Sequence, residues 1–210
     1  MDLIFFGMQG SGKGTLGKAI AEKYNMQIFE MGGELRKLAQ EDSELGKKIK
    51  SIIEAGHLVS DEVVMEIVEN FMNNLQGNKS VLFDGIPRKV DQAKLLNNIL
   101  DKHNRTYTGV LLDIKKETAL HRLTTRRICK NCKAVYPVFY TKDACEKCGG
   151  PLITRADDNE TAIKTRLDAY EKETIPAMDL YKKAFIKIDG EPTIEKVQEN
   201  AFQKLDPVMK

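Results

Sequence analysis

No apolar run in the 210 residues approaches the roughly 20 that a membrane helix needs. The opening Met1-Asp2-Leu3-Ile4-Phe5-Phe6 has an acid at its head and only four apolar residues after it. A secretory signal wants a basic start and a longer apolar stretch, so export is not expected and a cytoplasmic location is. No charge of one sign dominates. Lys+Arg is 33 and Asp+Glu is 31, a net +2. Bulk electrostatic attachment to nucleic acid or to a membrane surface therefore has no support. No repeat of fixed period and no low-complexity tract is present.

What is present suffices for a core. Hydrophobic residues make up 41% and charged residues 30%, ordinary values for a globular chain and too apolar for disorder as the main state. The length fits one α/β domain with a small insertion. Only eight of the 33 basic residues are arginine: Arg36, Arg88, Arg105, Arg122, Arg126, Arg127, Arg155 and Arg166. A planar guanidinium fork suits bidentate phosphate binding, so the sparse arginines are read as phosphate ligands, with codon or lineage bias as the alternative and no catalytic role for Arg105 and Arg127.

The hydrophobic pattern alternates short strands with longer helices. Strands are predicted over 3–6, 80–83, 107–114 and 184–188. Helices are predicted over 13–24, 33–40, 43–54, 90–102, 117–127, 160–183 and 193–204. Another follows Ser60 as N-cap, with Asp61 and Glu62 in its first turn and Val64, Ile67, Val68, Phe71 and Leu75 as a buried stripe. Strands separated by helices imply an α/β fold whose parallel sheet is covered on both faces. Residues 128–159 break the rhythm.

Gly7-Met8-Gln9-Gly10-Ser11-Gly12-Lys13-Gly14-Thr15 follows the first strand and opens the first helix. Gly7-x4-Gly12-Lys13 is the spacing of a P-loop, whose backbone N–H groups turn inward around phosphate oxygens while the helix N-terminus adds partial positive charge. Lys13 would reach the terminal phosphates. Gly14 stands where Ser or Thr is expected, so Thr15 would supply the magnesium hydroxyl.

All four cysteines fall in the irregular stretch as Cys129-x2-Cys132-x12-Cys145-x2-Cys148. Two Cys-x-x-Cys knuckles can complete a four-thiolate tetrahedron, with structural zinc the leading reading, and iron in the same site, a disulfide or redox use as alternatives. No histidine lies at ligand spacing, which argues against a catalytic metal.

Gly-Lys-Gly-Thr at the end of the P-loop resembles the adenylate kinases and related nucleoside monophosphate kinases, and the resemblance extends along nearly the whole chain. Gly32-Gly33-Glu34-Leu35-Arg36 resembles the segment that grips the monophosphate. Gly56-His57-Leu58-Val59-Ser60-Asp61 resembles the one against the acceptor base. Phe83-Asp84-Gly85-Ile86-Pro87-Arg88 with Gln92 resembles the Asp-Gly-Phe-Pro-Arg signature. The cysteine region, from Arg127 through Val135-Tyr136 to Leu152-x2-Arg155-x-Asp157-Asp158, resembles the zinc-bearing lid of the long bacterial-type members.

The resemblance implies a P-loop NTPase-type core with a small zinc-ribbon-like lid, and Mg-dependent reversible transfer, ATP + AMP = 2 ADP. It implies donor binding by Gly10, Ser11, Gly12, Lys13, Gly14, Thr15, Arg122, Arg126 and Tyr136. Acceptor binding would fall to Met31, Gly32, Arg36, Leu58, Val59, Gly85, Arg88, Gln92, Arg155 and Arg166. The catalytic set would be Lys13, Asp84, Arg88, Arg126, Arg155 and Arg166, with Asp84 on magnesium-bound water and Asp157 and Asp158 pairing with arginines. Zn²⁺ would sit on Cys129, Cys132, Cys145 and Cys148. The implied organisation is core 1–29, acceptor-binding helices 30–59, core 60–121, lid 122–159 and core 160–210.

Four positions depart from the family pattern. Met31 lacks the usual threonine hydroxyl, Gly33 lacks the usual acid (for which Glu34 would substitute), Gln9 replaces a common proline, and Leu16 a common glutamine. Acceptor or donor choice (GMP, CMP, UMP; GTP) is therefore a competing expectation. A guanine switch would want Asn-Lys-x-Asp, which is absent. A zinc-ribbon nucleic-acid binder is disfavoured, since Asp143, Glu146, Asp157 and Asp158 offset the lysines near the knuckles. ATP, AMP and ADP are the expected partners, with no nucleic acid, no membrane and a monomer.

Overall fold

In the computed structural model residues 1–209 are described, without the side chains of Lys183 and Ala184. The last residue of the core segment expected over 160–210 lies outside the described residues. In chain order the elements are β1 (Asp2–Phe6), α1 (Lys13–Lys23), β2 (Gln27–Glu30), α2 (Met31–Leu38), α3 (Glu44–Glu54), α4 (Asp61–Asn73), β3 (Val81–Asp84), α5 (Val90–Lys102), β4 (Tyr107–Asp113) and α6 (Lys116–Thr125). Three short strands follow, β5 (Arg127–Cys129), β6 (Val135–Tyr136) and β7 (Leu152–Ile153), then α7 (Glu160–Ala169), α8 (Ile175–Met178), β8 (Phe185–Asp189) and α9 (Ile194–Leu205).

Five strands form one parallel sheet in the order β2-β3-β1-β4-β8. Alternation along β1 sends Leu3 and Phe5 to one face and Ile4 and Phe6 to the other. The first pair joins Leu16, Ile20, Val197 and Ala201 of α1 and α9. The second joins Leu35, Ile49, Val68 and Leu96 of the helices opposite. The carboxyl ends of the strands, Phe6, Glu30 and Asp84 among them, therefore line one edge, where open α/β sheets bind ligands.

Several expectations are corrected. The edge strand β2 was not expected: Gln27-Ile28-Phe29-Glu30 buries only Phe29, so it has no apolar run to read. The expected helix over 160–183 is interrupted by a π turn at Tyr170–Thr174 and a 3-10 turn at Asp179–Ala184. Pro176, without an N–H, would collide with the carbonyl four residues back in a regular α-helix, and the wider turn avoids this. Ser60 occupies the N-cap of α4 but its side chain makes no capping bond. In α4 Val64 and Val68 are buried, but Met65 and Met72 take the rest of the inner stripe, while Ile67, Phe71 and Leu75 are half-buried against it. The irregular stretch 128–159 carries a small antiparallel sheet, β6-β5-β7.

Arg105 has a structural task. Asp2 is fully buried and accepts from Val81 N (2.8 Å) and from Arg105 Nε and Nη2 (2.8 and 2.6 Å). Arg105→Ala leaves that carboxylate unpaired in the sheet and should cost about 3 kcal/mol, measured as a shifted urea midpoint at constant slope.

Candidate active site

The P-loop takes its shape from glycine. Gly12 caps α1 at φ +100°, a left-handed conformation open to glycine, and no side chain caps the helix N-terminus. Gly10, at φ +85°, passes so close to α6 that a β-carbon would lie 2.8 Å from the Ala119 carbonyl oxygen. Lys13 folds over the loop, with Nζ donating to Gly7 O at 2.6 Å. Ser11 is buried, and its Oγ and the Oε1 of Gln9 have no hydrogen-bond partner among the described residues. Buried polar atoms left unpaired beside uncapped N–H groups fit a polyanionic ligand.

Opposite the loop, β2 and β3 end side by side with Glu30 and Asp84 in register. Burial raises the pKa of Asp84 against the pull of Lys13, and Glu30 raises it further. Burial lowers the pKa of Lys13, countered by Asp84 and reinforced by Arg88 and Arg126. Burial likewise works against the charges of Arg36, Arg88 and Arg126. Arg155 adds repulsion at Arg36 and Arg126, and Arg166 adds it at Arg88 and Arg126. Six cations thus converge on one space.

Most of these cations rest on acids. Arg126 grips Asp158 through two bonds of 2.7 and 2.8 Å. Arg155 grips Asp157 at 2.9 and 3.0 Å. Arg166 reaches both, at 3.1 Å to Asp157 and 2.9 Å to Asp158. Burial would raise the pKa of Asp157, but Arg155 and Arg166 outweigh it and hold the carboxyl below its usual value. Arg36 pairs with Glu30 at 2.9 Å. Arg88 has no ion pair among the described residues; its Nε donates to Gly85 O at 3.0 Å. Arg122 donates to Ser11 O and Gly190 O, tying the P-loop to the turn before α9.

A cleft of about 910 Å³ contains this arrangement. Every nucleotide-site residue expected from the sequence lines it, from Gly10 through Thr15 on one side to Met31, Gly32, Leu58, Val59, Gly85 and Gln92 on the other, together with Asp84 and six arginines. Tyr136 contributes to the wall while its hydroxyl is engaged by Cys145 at 3.0 Å. Glu34, the expected substitute for the acid missing at Gly33, instead pairs with Lys37. The nearby acid is Glu30: a β-carbon at Gly33 would lie 3.5 Å from Glu30 Oε2. Glu30 was not singled out in the sequence, because the strand that ends on it buries only Phe29 and has no hydrophobic pattern to read. The wall from Pro192 to Gln198 carried no signal at all.

The chain matches the family model described as Adenylate kinase over residues 5–186. The chain belongs to the adenylate kinase family. An adenylate kinase of Methanocella arvoryzae is 38% identical over 204 residues, covering 94% of each chain. One from a Geobacillus strain is 40% identical with the same coverage, and one from Archaeoglobus fulgidus is 38% identical, again over 94% of both. Membership in the adenylate kinase family makes the chain a nucleoside monophosphate kinase, and the parallel sheet with its P-loop is the corresponding P-loop NTPase-type core.

Adenylate kinase membership also gives the cysteine cluster a context. The Sγ atoms of Cys129, Cys132, Cys145 and Cys148 all lie within 4.8 Å of one another, with two pairs at 3.4 Å. That is too long for a disulfide and near the edge of about 3.8 Å that Zn–S bonds of about 2.3 Å impose on a tetrahedron. Burial raises the Cys145 thiol, yet the Tyr136 hydroxyl and Cys132 outweigh it and bring the pKa down to about 6. A tetrahedral thiophilic ion fits this set.

Proposed function

We propose that this protein catalyses reversible transfer of the γ-phosphoryl group from ATP to AMP, giving two ADP. The observation that carries the reading is a single cleft with a P-loop on one side, a second pocket opposite, and six cations between them. Gly10 to Thr15 wrap the donor phosphates, and Arg122 lies against the donor base beside Tyr136. Arg36 and Arg88 take the acceptor phosphate, with Met31, Gly32, Leu58, Val59, Gly85 and Gln92 around its nucleoside. Lys13, Arg126, Arg155 and Arg166 neutralise the group in transit. Because the chemistry needs no covalent enzyme intermediate, the chain acts by aligning the two phosphates, balancing charge and excluding water.

Magnesium, when bound, spreads the phosphate charge, and Thr15 and Asp84 are the residues placed to hold its waters. Zinc in the four-thiolate site is structural. The segments 30–59 and 122–159 close over the two nucleotides and reopen for release. The accompanying reading is a cytoplasmic monomer acting on free nucleotides; among the described residues no helix is long and apolar enough to cross a membrane.

The decisive assay is coupled phosphotransfer over a matrix of donors and acceptors. ATP with AMP should give the highest kcat/KM and require a divalent cation. Calorimetry that found room for one nucleotide only, with no binding of a bisubstrate mimic, would overturn the proposal.

A further inference from the structure

Gln92 lies in the first turn of α5, 2% exposed, at the end of the cleft that Met31 and Val59 also line. Both ends of its amide are engaged. Oε1 accepts from the Arg88 backbone N–H at 2.8 Å, and Nε2 donates to Asp61 Oδ1 at 2.9 Å. A backbone N–H only donates and a carboxylate only accepts, so these two partners dictate which end of the amide is oxygen and which is nitrogen. Asp61 is itself fixed, opening α4 and receiving Lys89 Nζ at 3.1 Å. Turning the amide over would set N–H against N–H at Arg88 and oxygen against oxygen at Asp61. Two hydrogen bonds would become two repulsions.

Each amide atom keeps one further valence: a second N–H on Nε2 and a second lone pair on Oε1. A base edge meeting them must present an acceptor to the nitrogen and a donor to the oxygen. A 6-aminopurine does so, with an unprotonated N1 and an N6 amino group. A 6-oxopurine presents the reverse, N1–H and O6, and would need the overturned amide.

We propose that Asp61 is a specificity-determining residue of the acceptor pocket, selecting 6-amino over 6-oxo purine monophosphates by locking the orientation of Gln92. This rests on the acceptor assignment proposed above. Asp61 acts through Gln92 and is a positioning residue.

The test compares AMP with IMP, which has the same size and differs only at N1 and position 6, at saturating Mg-ATP. Wild type should favour AMP by about 100-fold or more in kcat/KM. Asp61→Asn keeps the shape but offers either an oxygen or an NH2 to Gln92, so orientation is no longer enforced from that side. The AMP:IMP ratio should narrow about fivefold, mainly through a lower KM for IMP with kcat for AMP within about twofold. A gain toward IMP is not produced by lost stability. Asp61→Ala should narrow the ratio similarly, through a higher KM for AMP.

An Asp61→Asn ratio within twofold of wild type overturns the assignment. So does wild type that binds AMP and IMP equally in calorimetry, a readout needing no variant. Wild type that phosphorylates neither acceptor defeats the acceptor reading and this inference with it. Transfer to AMP with an unmoved ratio defeats the role of Asp61 alone.

Discussion

Arg88→Ala should lower kcat/KM for transfer to AMP about a thousandfold, equivalent to about 4 kcal/mol of lost transition-state stabilisation, with unfolding stability changed by no more than about 1 kcal/mol. The two effects separate because the contacts of Arg88 separate. Its backbone is held in the loop between β3 and α5 by two bonds independent of the side chain's charge: the N–H donates to Gln92 Oε1 and the carbonyl accepts from Thr174 Oγ1. Among the described residues the guanidinium gives the fold only the bond to Gly85 O. Burial disfavours its charge; Asp84 offsets this, while Arg166 and Arg36 add repulsion. Truncation therefore removes one hydrogen bond to the fold while relieving burial of the charge and its repulsion by Arg166 and Arg36. Near-wild-type turnover in Arg88→Ala, or loss of activity matched by loss of fold, would defeat the assigned role.

Removing the metal should have the larger effect on structure, confined to one region. The lid sheet has a core of four buried residues, Cys129, Ala134, Tyr136 and Cys145, with Tyr140 and Leu152 at its margin. Two of the four belong to the cysteine cluster proposed to hold the metal. So small a core cannot offset the chain entropy of some thirty residues, whereas structural zinc contributes about 10–16 kcal/mol in zinc-finger peptides. Chelation, or Cys145→Ser, should release one zinc per chain and open the chain between Arg127 and Arg155 to proteolysis. Far-UV circular dichroism of the parallel core should persist. Turnover should fall at least about tenfold, since Arg155 is carried by the segment that unravels. A chelated protein with an intact protease pattern, or metal analysis showing iron, would contradict the zinc assignment.

How much was legible in the sequence depended on whether a feature is encoded by local spacing. Gly7-x4-Gly12-Lys13 and the two Cys-x-x-Cys pairs fix backbone shape within a few residues, so their placement is readable without the fold. The acceptor segments were legible only through their resemblance, in order after the P-loop, to those of the adenylate kinases. Strand β2 was not, because an edge strand with one buried side chain lacks a hydrophobic period. The break at Tyr170–Thr174 was hidden behind a helical pattern that continues past Pro176. Glu30 and Asp61 were invisible as site residues because their roles arise between elements far apart in sequence. Glu30 meets Asp84 only through strand register, and Asp61 meets Gln92 only where α4 and α5 come together.

The carboxylates that hold Arg36, Arg126, Arg155 and Arg166 have a consequence for traffic through the cleft. They are built-in decoys. At these four positions an incoming nucleotide does not meet bare cations but exchanges with anions already in place, so only a ligand that engages several guanidiniums together displaces them. Stray sulfate or orthophosphate, offering one group at a time, competes poorly. For the same reason nucleotide uptake should depend on ionic strength far less steeply than a count of six positive side chains would suggest.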